Sequence, residues 1–258
     1  MVSKIILKDE EVETQRKIDV SFYKELYTYE DWQNIDKDSS ENYMLMADID
    51  FSGKTDVNHN VNIGRLISNT ETKSIKNIEL TDNLIDNISL ELKNISFENI
   101  KINSNKFGGL ISLQEGNLDN VVFKDIIIES KDEYVGCIAT SKATDINNVT
   151  LKNINVQGGN FTAGFIGRQY GTSSMSNFSL NEIDIKSTGN YVAGLIGYTE
   201  TGGSIANING ADINVSSNKN YVGGLFGYNS KTISNINVEN SYVSGNSYVG
   251  GVSGYMRK

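Results

Sequence analysis

The 258-residue sequence has no proline, one cysteine (Cys137), one histidine (His59) and one tryptophan (Trp32). A single cysteine excludes a disulfide within the chain, and one Cys with one His cannot build a four-ligand zinc cluster. Any Ser-His-Asp or Cys-His arrangement would have to use His59, which sits in "DVNHNVN" without a supporting pattern and reads as an exposed turn residue. Cys137, in "YVGCIAT", takes an apolar place and reads as a buried thiol. No run approaches the ~18 apolar residues of a membrane helix. The start, "MVSKIILKDEEVETQRK", has too short an apolar stretch for a signal peptide. A formal net charge of −9 gives no attraction for phosphate backbones, so neither nucleic acid nor membrane is an expected partner.

What the chain has in abundance is asparagine, 33 residues of it, with Gly, Ile and Val beside it. Without proline, turns must be made by Asn, Asp and Gly, and the composition reads as β-structure with many tight turns. Internal repetition organises it. A glycine phrase returns at Gly109, Gly136, Gly164, Gly194, Gly224 and Gly251, with spacings of 27, 28, 30, 30 and 27. Between its copies, an apolar-x-Asn-apolar phrase places Asn77, Asn94, Asn120, Asn148, Asn177, Asn207 and Asn235. Five residues after each stands a second polar position: Asp82, Asn99, Asp125, Asn153, Glu182, Asp212 and Asn240.

Alternating apolar runs flank these positions, as in "NISFENIKI", which is strand, turn, strand. The period is too short for propeller blades or helical repeats, and the Leu-rich strand of a leucine-rich repeat is missing. The expected fold is all-β: a single-stranded parallel, right-handed β-helix of about seven coils of 27–30 residues over residues 61–258. Coils stacked at ~4.8 Å would make a rod roughly 35 Å long. Asn tolerates a left-handed corner and its amide can bond the Asn above and below, so both polar columns read as structural corners.

Residues 1–60 read as an N-terminal cap or docking region. In "TYEDWQNI", Thr28 and Asp31 form an N-cap signature ahead of a short helix with Trp32 and Ile35 on one side. "NYMLMADIDFSG" reads as strand, with Asp48 and Asp50 as turn carboxylates rather than calcium ligands. The sequence ends at "SYVGGVSGYMRK" after a full glycine phrase, so further chain or another subunit is expected at that end, a homo-oligomer being one way to supply it. Two aromatic rows run coil to coil: Phe107, Tyr134, Phe161, Tyr191, Tyr221 and Tyr248, and a shorter Tyr198, Tyr228 and Tyr255. Ring stacking along the rod accounts for both. A sugar- or protein-binding stripe on Tyr198, Tyr228 and Tyr255 is the functional alternative.

"YVAGLIGY" and "YVGGLFGY" resemble the GLUG repeat. The stretch Thr28-Tyr29-Glu30-Asp31-Trp32, leading to Tyr43, Leu45, Asp48, Ile49, Asp50, Phe51, Ser52 and Gly53, is similar to the segment preceding such repeats in the non-catalytic region of bacterial IgA1-specific metallopeptidases. The resemblance covers most of the chain from about residue 26 and implies the repeat region, not the protease, because His-Glu-x-x-His is absent. Such repeats also occur in surface adhesins and phage tail proteins.

Carboxylates at Asp125, Asp145, Asp184 and Asp212 show no paired pattern on neighbouring coils, so no catalytic residue and no enzyme is expected. "GLIGYTETGG" lacks the Gly-Lys-Ser/Thr of a phosphate loop. No cofactor or metal is implied. The expected function is a structural, receptor-binding solenoid. The favoured setting is a tail fibre-like or baseplate-associated protein of a phage or phage tail-like particle of a low-GC Gram-positive host. The alternative is a stalk or accessory region of a secreted, wall-anchored adhesin or IgA1-type metallopeptidase at the bacterial surface. In either setting the expected partner is a host cell-surface polysaccharide or protein.

Overall fold

The computed structural model describes residues 22–69, 71–104 and 108–257. The first 21 residues of the expected cap, and Phe107 of the aromatic row, lie outside the described residues. After a strand at Lys24–Leu26 comes one helical turn, α1, at Tyr29–Gln33. Its start is fixed by a reciprocal pair. The Thr28 hydroxyl accepts from the Asp31 N–H, and the Asp31 carboxylate accepts from the Thr28 N–H at 2.8 Å. Trp32 and Ile35 point inward, as the spacing predicts, and Trp32 is wholly buried. Its indole N–H donates to Asn58 O at 2.8 Å, and the Asn58 amide donates to Ile35 O at 2.8 Å, tying the helix to the first coil.

Every regular element after α1 among the described residues is a strand. All inter-strand pairings are parallel, and each run lies on its counterpart one coil earlier. The result is a parallel β-solenoid of about seven turns. The alternation in the sequence reads as short strands separated by turns, about three of four to six residues per repeat. Instead, runs of 14 to 20 residues such as Ile85–Ser104, Asn117–Ser130 and Ser173–Ser187 pass through two corners without leaving the ladder. A single left-handed residue turns the chain, and the next residue resumes pairing. Shorter runs such as Val192–Ala193 and Ile196–Thr199 complete the coil. Residues before 60 belong to the same stack, since Tyr43–Met44 pairs with Leu66–Ile67 and Ile49–Asp50 with Ile75–Lys76.

The inside is made by alternation. Ile95, Val121, Val149, Phe178 and Ile208 form one buried column, and Phe97, Phe123, Leu151 and Leu180 another. Burial of each such side chain stabilises by about 1.5–3 kcal/mol. Phe97 and Phe123 stack at 5.4 Å. In the last coil Ile233, Ile236, Val238, Val243 and Val252 are only partly buried, and Tyr242, Tyr248, Val249, Tyr255 and Met256 are exposed. Among the described residues no helix is long and apolar enough to cross a membrane.

Three positions depart from the sequence-based register. Asn77 lies opposite Asn99, not Asn94, because Lys76 pairs with Glu98 and Ile78 with Ile100. The place below Asn94 is taken by Ser68, whose carbonyl accepts the Asn94 amide at 2.8 Å. Asp82 lies outside the second column, in the turn where its carboxylate accepts from the Asn83 N–H at 2.9 Å. The glycine phrase also slips. Gly109 pairs with Gly136, but Val135 pairs with Thr162, which sets Gly136 against Ala163 rather than Gly164. Coils from Gly164 onward carry one extra residue, absorbed as a bend before Ile166, whose partner is Ile138.

Candidate functional site

The corners are the most regular feature of the surface. Asn94, Asn120, Asn148, Asn177, Asn207 and Asn235 share one column, all left-handed with φ from 52° to 62°. Amide-to-amide bonds link Asn120 to Asn94 at 2.9 Å, Asn207 to Asn177 at 3.0 Å and Asn235 to Asn207 at 3.0 Å. Asn148 donates instead to Asp119 at 2.9 Å. The second column holds Asn77, Asn99, Asp125, Asn153, Glu182, Asp212 and Asn240, again all left-handed. Replacing Asn177 by Ala is expected to cost about 2 kcal/mol: about 1 for the left-handed backbone and about 1 net for the exposed side-chain bonds it makes to Asn147 and Asn148 and accepts from Asn207. Asn177→Gly should recover the backbone half, which thermal unfolding of the two variants separates.

Asp50 and Ser52 start the second column. The Asn77 amide donates to the Asp50 carboxylate at 2.8 Å, and the Ser52 hydroxyl and N–H donate to the same oxygen. Led by the Asn77 bond, these donors pull the Asp50 pKa down to about 2 from 3.8. A depressed carboxyl contributes stability that is present above the unfolded value and lost as pH falls through the folded one. The melting temperature should therefore drop between pH 4 and 2, and this drop should be smaller in Asp50→Asn.

The aromatic rows are built in an unexpected way. Tyr134, Phe161, Tyr191, Tyr221 and Tyr248 are themselves left-handed, with φ of 54° to 62°. Their rings stack face to face at 5.0, 4.8, 4.8 and 4.7 Å. A bulky residue in this region costs about 1–2 kcal/mol. Each inner ring makes two stacks worth about 0.5–1.5 kcal/mol apiece, which offsets the strain. Tyr198, Tyr228 and Tyr255 stack at 4.7 and 5.2 Å and meet the first row edge-on. Phe161, Tyr191, Tyr221 and Tyr228 are each stacked between two rings, while the end rings Tyr134, Tyr248 and Tyr255 stack on one ring only. The Arg168 guanidinium takes the next place in the shorter row, 5.2 Å from the Tyr198 ring centre and 4.5 Å from that of Tyr170.

Three further features carry little sequence signal. Asn160, Asn190 and Asn220 form another ladder just before the aromatics, with Asn190 N–H on Asn160 at 2.8 Å and Asn220 N–H on Asn190 at 3.1 Å. Its one trace is an Asn before each Phe or Tyr. Gln114, Ser141, Gln169, Thr199 and Asn229 form a fully buried polar column along the third corner. Lys231, also buried, donates from its ammonium to Gly171 O at 2.8 Å and Gly202 O at 2.6 Å, and burial lowers its pKa. Nearby, Glu200 accepts from the Gly171 N–H at 3.0 Å and pairs with Arg168 at 3.2 Å; these bonds hold its carboxyl below the usual range.

The chemistry-bearing candidates are dispersed. Asp184 pairs with Lys186 at 2.8 Å, and Asp125 accepts the Asn153 amide at 2.7 Å. Asp145 and Asp212 are exposed. His59 is half-buried rather than exposed, its Nδ1 2.8 Å from Val57 O. Cys137 is fully buried, and burial pushes its thiol pKa up. Among the described residues no group of three or more His, Cys, Asp or Glu could hold a metal ion. Two shallow troughs follow the corners. One of about 480 Å³ runs past Lys54, Glu79, Lys101 and Asp125, and one of about 310 Å³ past Asn148, Asn177 and Asn207.

The fold and its surface define a class: a parallel β-solenoid whose regularities are coil-to-coil ladders. No protein-family model matches the sequence. No curated protein sequence matches it either. A solved structure does match in fold: a Bacteroides ovatus protein described as a "putative immunoglobulin A1 protease". The two are 14% identical with a TM-score of 0.60, over 90% of this chain and 85% of that one.

Proposed function

We propose that this chain is a non-catalytic, rod-like module of a bacterial cell-surface protein, of the GLUG-repeat kind that accompanies IgA1-type metallopeptidases, which presents a binding flank to a host-surface ligand. The observation that carries this reading is the unbroken parallel ladder from Lys24 to Met256, sealed at one end by α1. Such a stack transmits position along its axis without hinges. The likeness in fold, over nine-tenths of the chain, to a protein described as a putative immunoglobulin A1 protease supports the link to IgA1-type metallopeptidases. A phage tail fibre or baseplate protein would use the same rod and receptor-binding role, carried by a virion; no feature of the fold favours that setting.

The test combines length and turnover. Deleting one coil, residues 190–219, should leave a folded protein that small-angle scattering finds shorter by ~4.8 Å. The intact chain should cleave neither immunoglobulin A1 nor bacterial wall polysaccharide. Turnover abolished by Asp125→Asn or Asp212→Asn would overturn the non-catalytic reading. Unfolding of the deletion protein would overturn the rod.

A further inference from the structure

We infer that the trough along Asn148, Asn177 and Asn207 is a binding groove for a neutral glycan lying parallel to the rod axis. Three observations converge on it. The first is its lining: besides the three corner amides, Thr150, Ser179 and Asn209 face it, and no charged side chain does. In a chain of net charge −9 this is a local exception. An anionic polysaccharide, a nucleic acid or a charged peptide would find no counter-charge there.

The second is the state of the polar groups. The corner asparagines are held by ladder bonds, with Asn177 donating to Asn147 at 2.8 Å and Asn207 to Asn177 at 3.0 Å. Their orientation is set before any ligand arrives, so little freedom is lost on binding. The amide nitrogens of Asn148 and Asn207 each have a second hydrogen still to donate, whereas Asn177 spends both of its own on Asn147 and Asn148. Thr150, Ser179 and Asn209 stand in direct register one coil apart, and their side chains make no hydrogen bond to the rest of the described protein. The groove therefore offers paired donors and acceptors, one set per coil, each ~4.8 Å from the next. A pyranose unit in an extended β-linked chain advances by about one coil rise, so each coil can meet the hydroxyls of one sugar.

The third is contrast along the same columns. Further toward the N-terminus the flank turns ionic: Glu98 pairs with Lys124 and is bonded by Ser96, and Lys93 pairs with Asp119. The charged column ends at Lys152, beside Thr150 on the first coil of the trough, and the next two coils carry Asn181 and Ala211 in its place. The inner aromatic rings beside these coils, Phe161, Tyr191 and Tyr221, are stacked on both faces and offer no platform to a sugar, which leaves amide and hydroxyl contacts to carry recognition.

This inference rests on the reading of the chain as a non-catalytic binding rod, and the two can fail separately. The experiment is calorimetric titration of the full chain with cellohexaose, chitohexaose and a β-mannohexaose, with oligogalacturonate as the anionic comparator. At least one neutral hexaose should bind, with a Kd insensitive to salt and weakened tenfold or more by Ser179→Lys. Asn155→Lys, on the adjacent flank, should leave it unchanged. Circular dichroism confirms that both variants fold, and Thr150→Lys provides a second probe should Ser179→Lys fail to. The inference is overturned if no neutral hexaose binds, if only oligogalacturonate binds, or if neither charge insertion alters the Kd. Capture of a protein partner through this flank, blocked by the same substitutions, would also overturn it. Hydrolysis of a bound hexaose would leave the groove standing and sink the non-catalytic reading instead.

Discussion

Gly194→Ala is expected to destabilise the protein by about 3 kcal/mol, at the upper end of overpacking substitutions. A β-carbon at this position would overlap Gly224 O of the next coil and lie 2.6 Å from Ile213 Cγ2. The obstacle is main chain rather than the end of a flexible side chain. That carbonyl accepts the Gly194 N–H at 3.0 Å, so it cannot move away without breaking the ladder. For a chain of this size the melting temperature should fall by roughly 10 °C. Gly171→Ala is the informative control. Gly171 has a left-handed φ of 65° but nothing within 4 Å of an added β-carbon, so it should lose only about 1 kcal/mol. Equal losses at both sites would contradict the idea that close coil packing, rather than turn conformation, selects glycine in the repeated phrase.

Trp32→Ala is expected to cost about 4 kcal/mol, typical of a wholly buried large aromatic. The loss combines the apolar surface, the edge-on contact with Phe51 at 6.1 Å and the indole bond that satisfies Asn58 O. In a solenoid each coil leans only on its neighbours, so the damage should be local. Hydrogen exchange should speed up first in Lys24–Leu26 and Ile49–Asp50, the strands packed against the helix, while Ser173–Ser187 keeps its protection. Uniform loss of protection along the rod would instead mean that the chain unfolds as one unit and that α1 is not a separate cap.

How far these features could be read in advance depends on the physics behind each. The solenoid, the capping box at Thr28–Asp31 and the buried faces of Trp32 and Ile35 were legible because each rests on local periodicity or a local bond. The long column of corner asparagines was legible because few residues other than Gly tolerate the left-handed region as Asn does. Asn77 was assigned to the wrong column for a reason spacing cannot reveal. The step from Asn77 to Asn99 is 22 residues, shorter than any repeat downstream, and both corners accept Asn. The extra residue at Gly164 was hidden likewise, since a bend beside two glycines leaves the phrase looking intact. Left-handed Tyr191 and Tyr221 run against propensity and pay their way only by stacking between coils, which no single repeat shows. The neutral trough was not legible at all, because Asn148, Thr150, Ser179 and Asn209 come together only through registration across coils.

The central claim is that each repeat is one coil, stacked in parallel on the last. Outward positions Glu98, Lys124, Lys152, Asn181, Ala211 and Glu239 occupy one column, five coil steps long. Spin labels at Glu98 paired in turn with Asn181, Ala211 and Glu239 measure that column directly by electron–electron double resonance. The account predicts backbone separations of about 14, 19 and 24 Å, rising by one ~4.8 Å strand spacing per coil. Separations that fail to rise in equal steps, or a Glu98–Glu239 distance no longer than Glu98–Asn181, would contradict it.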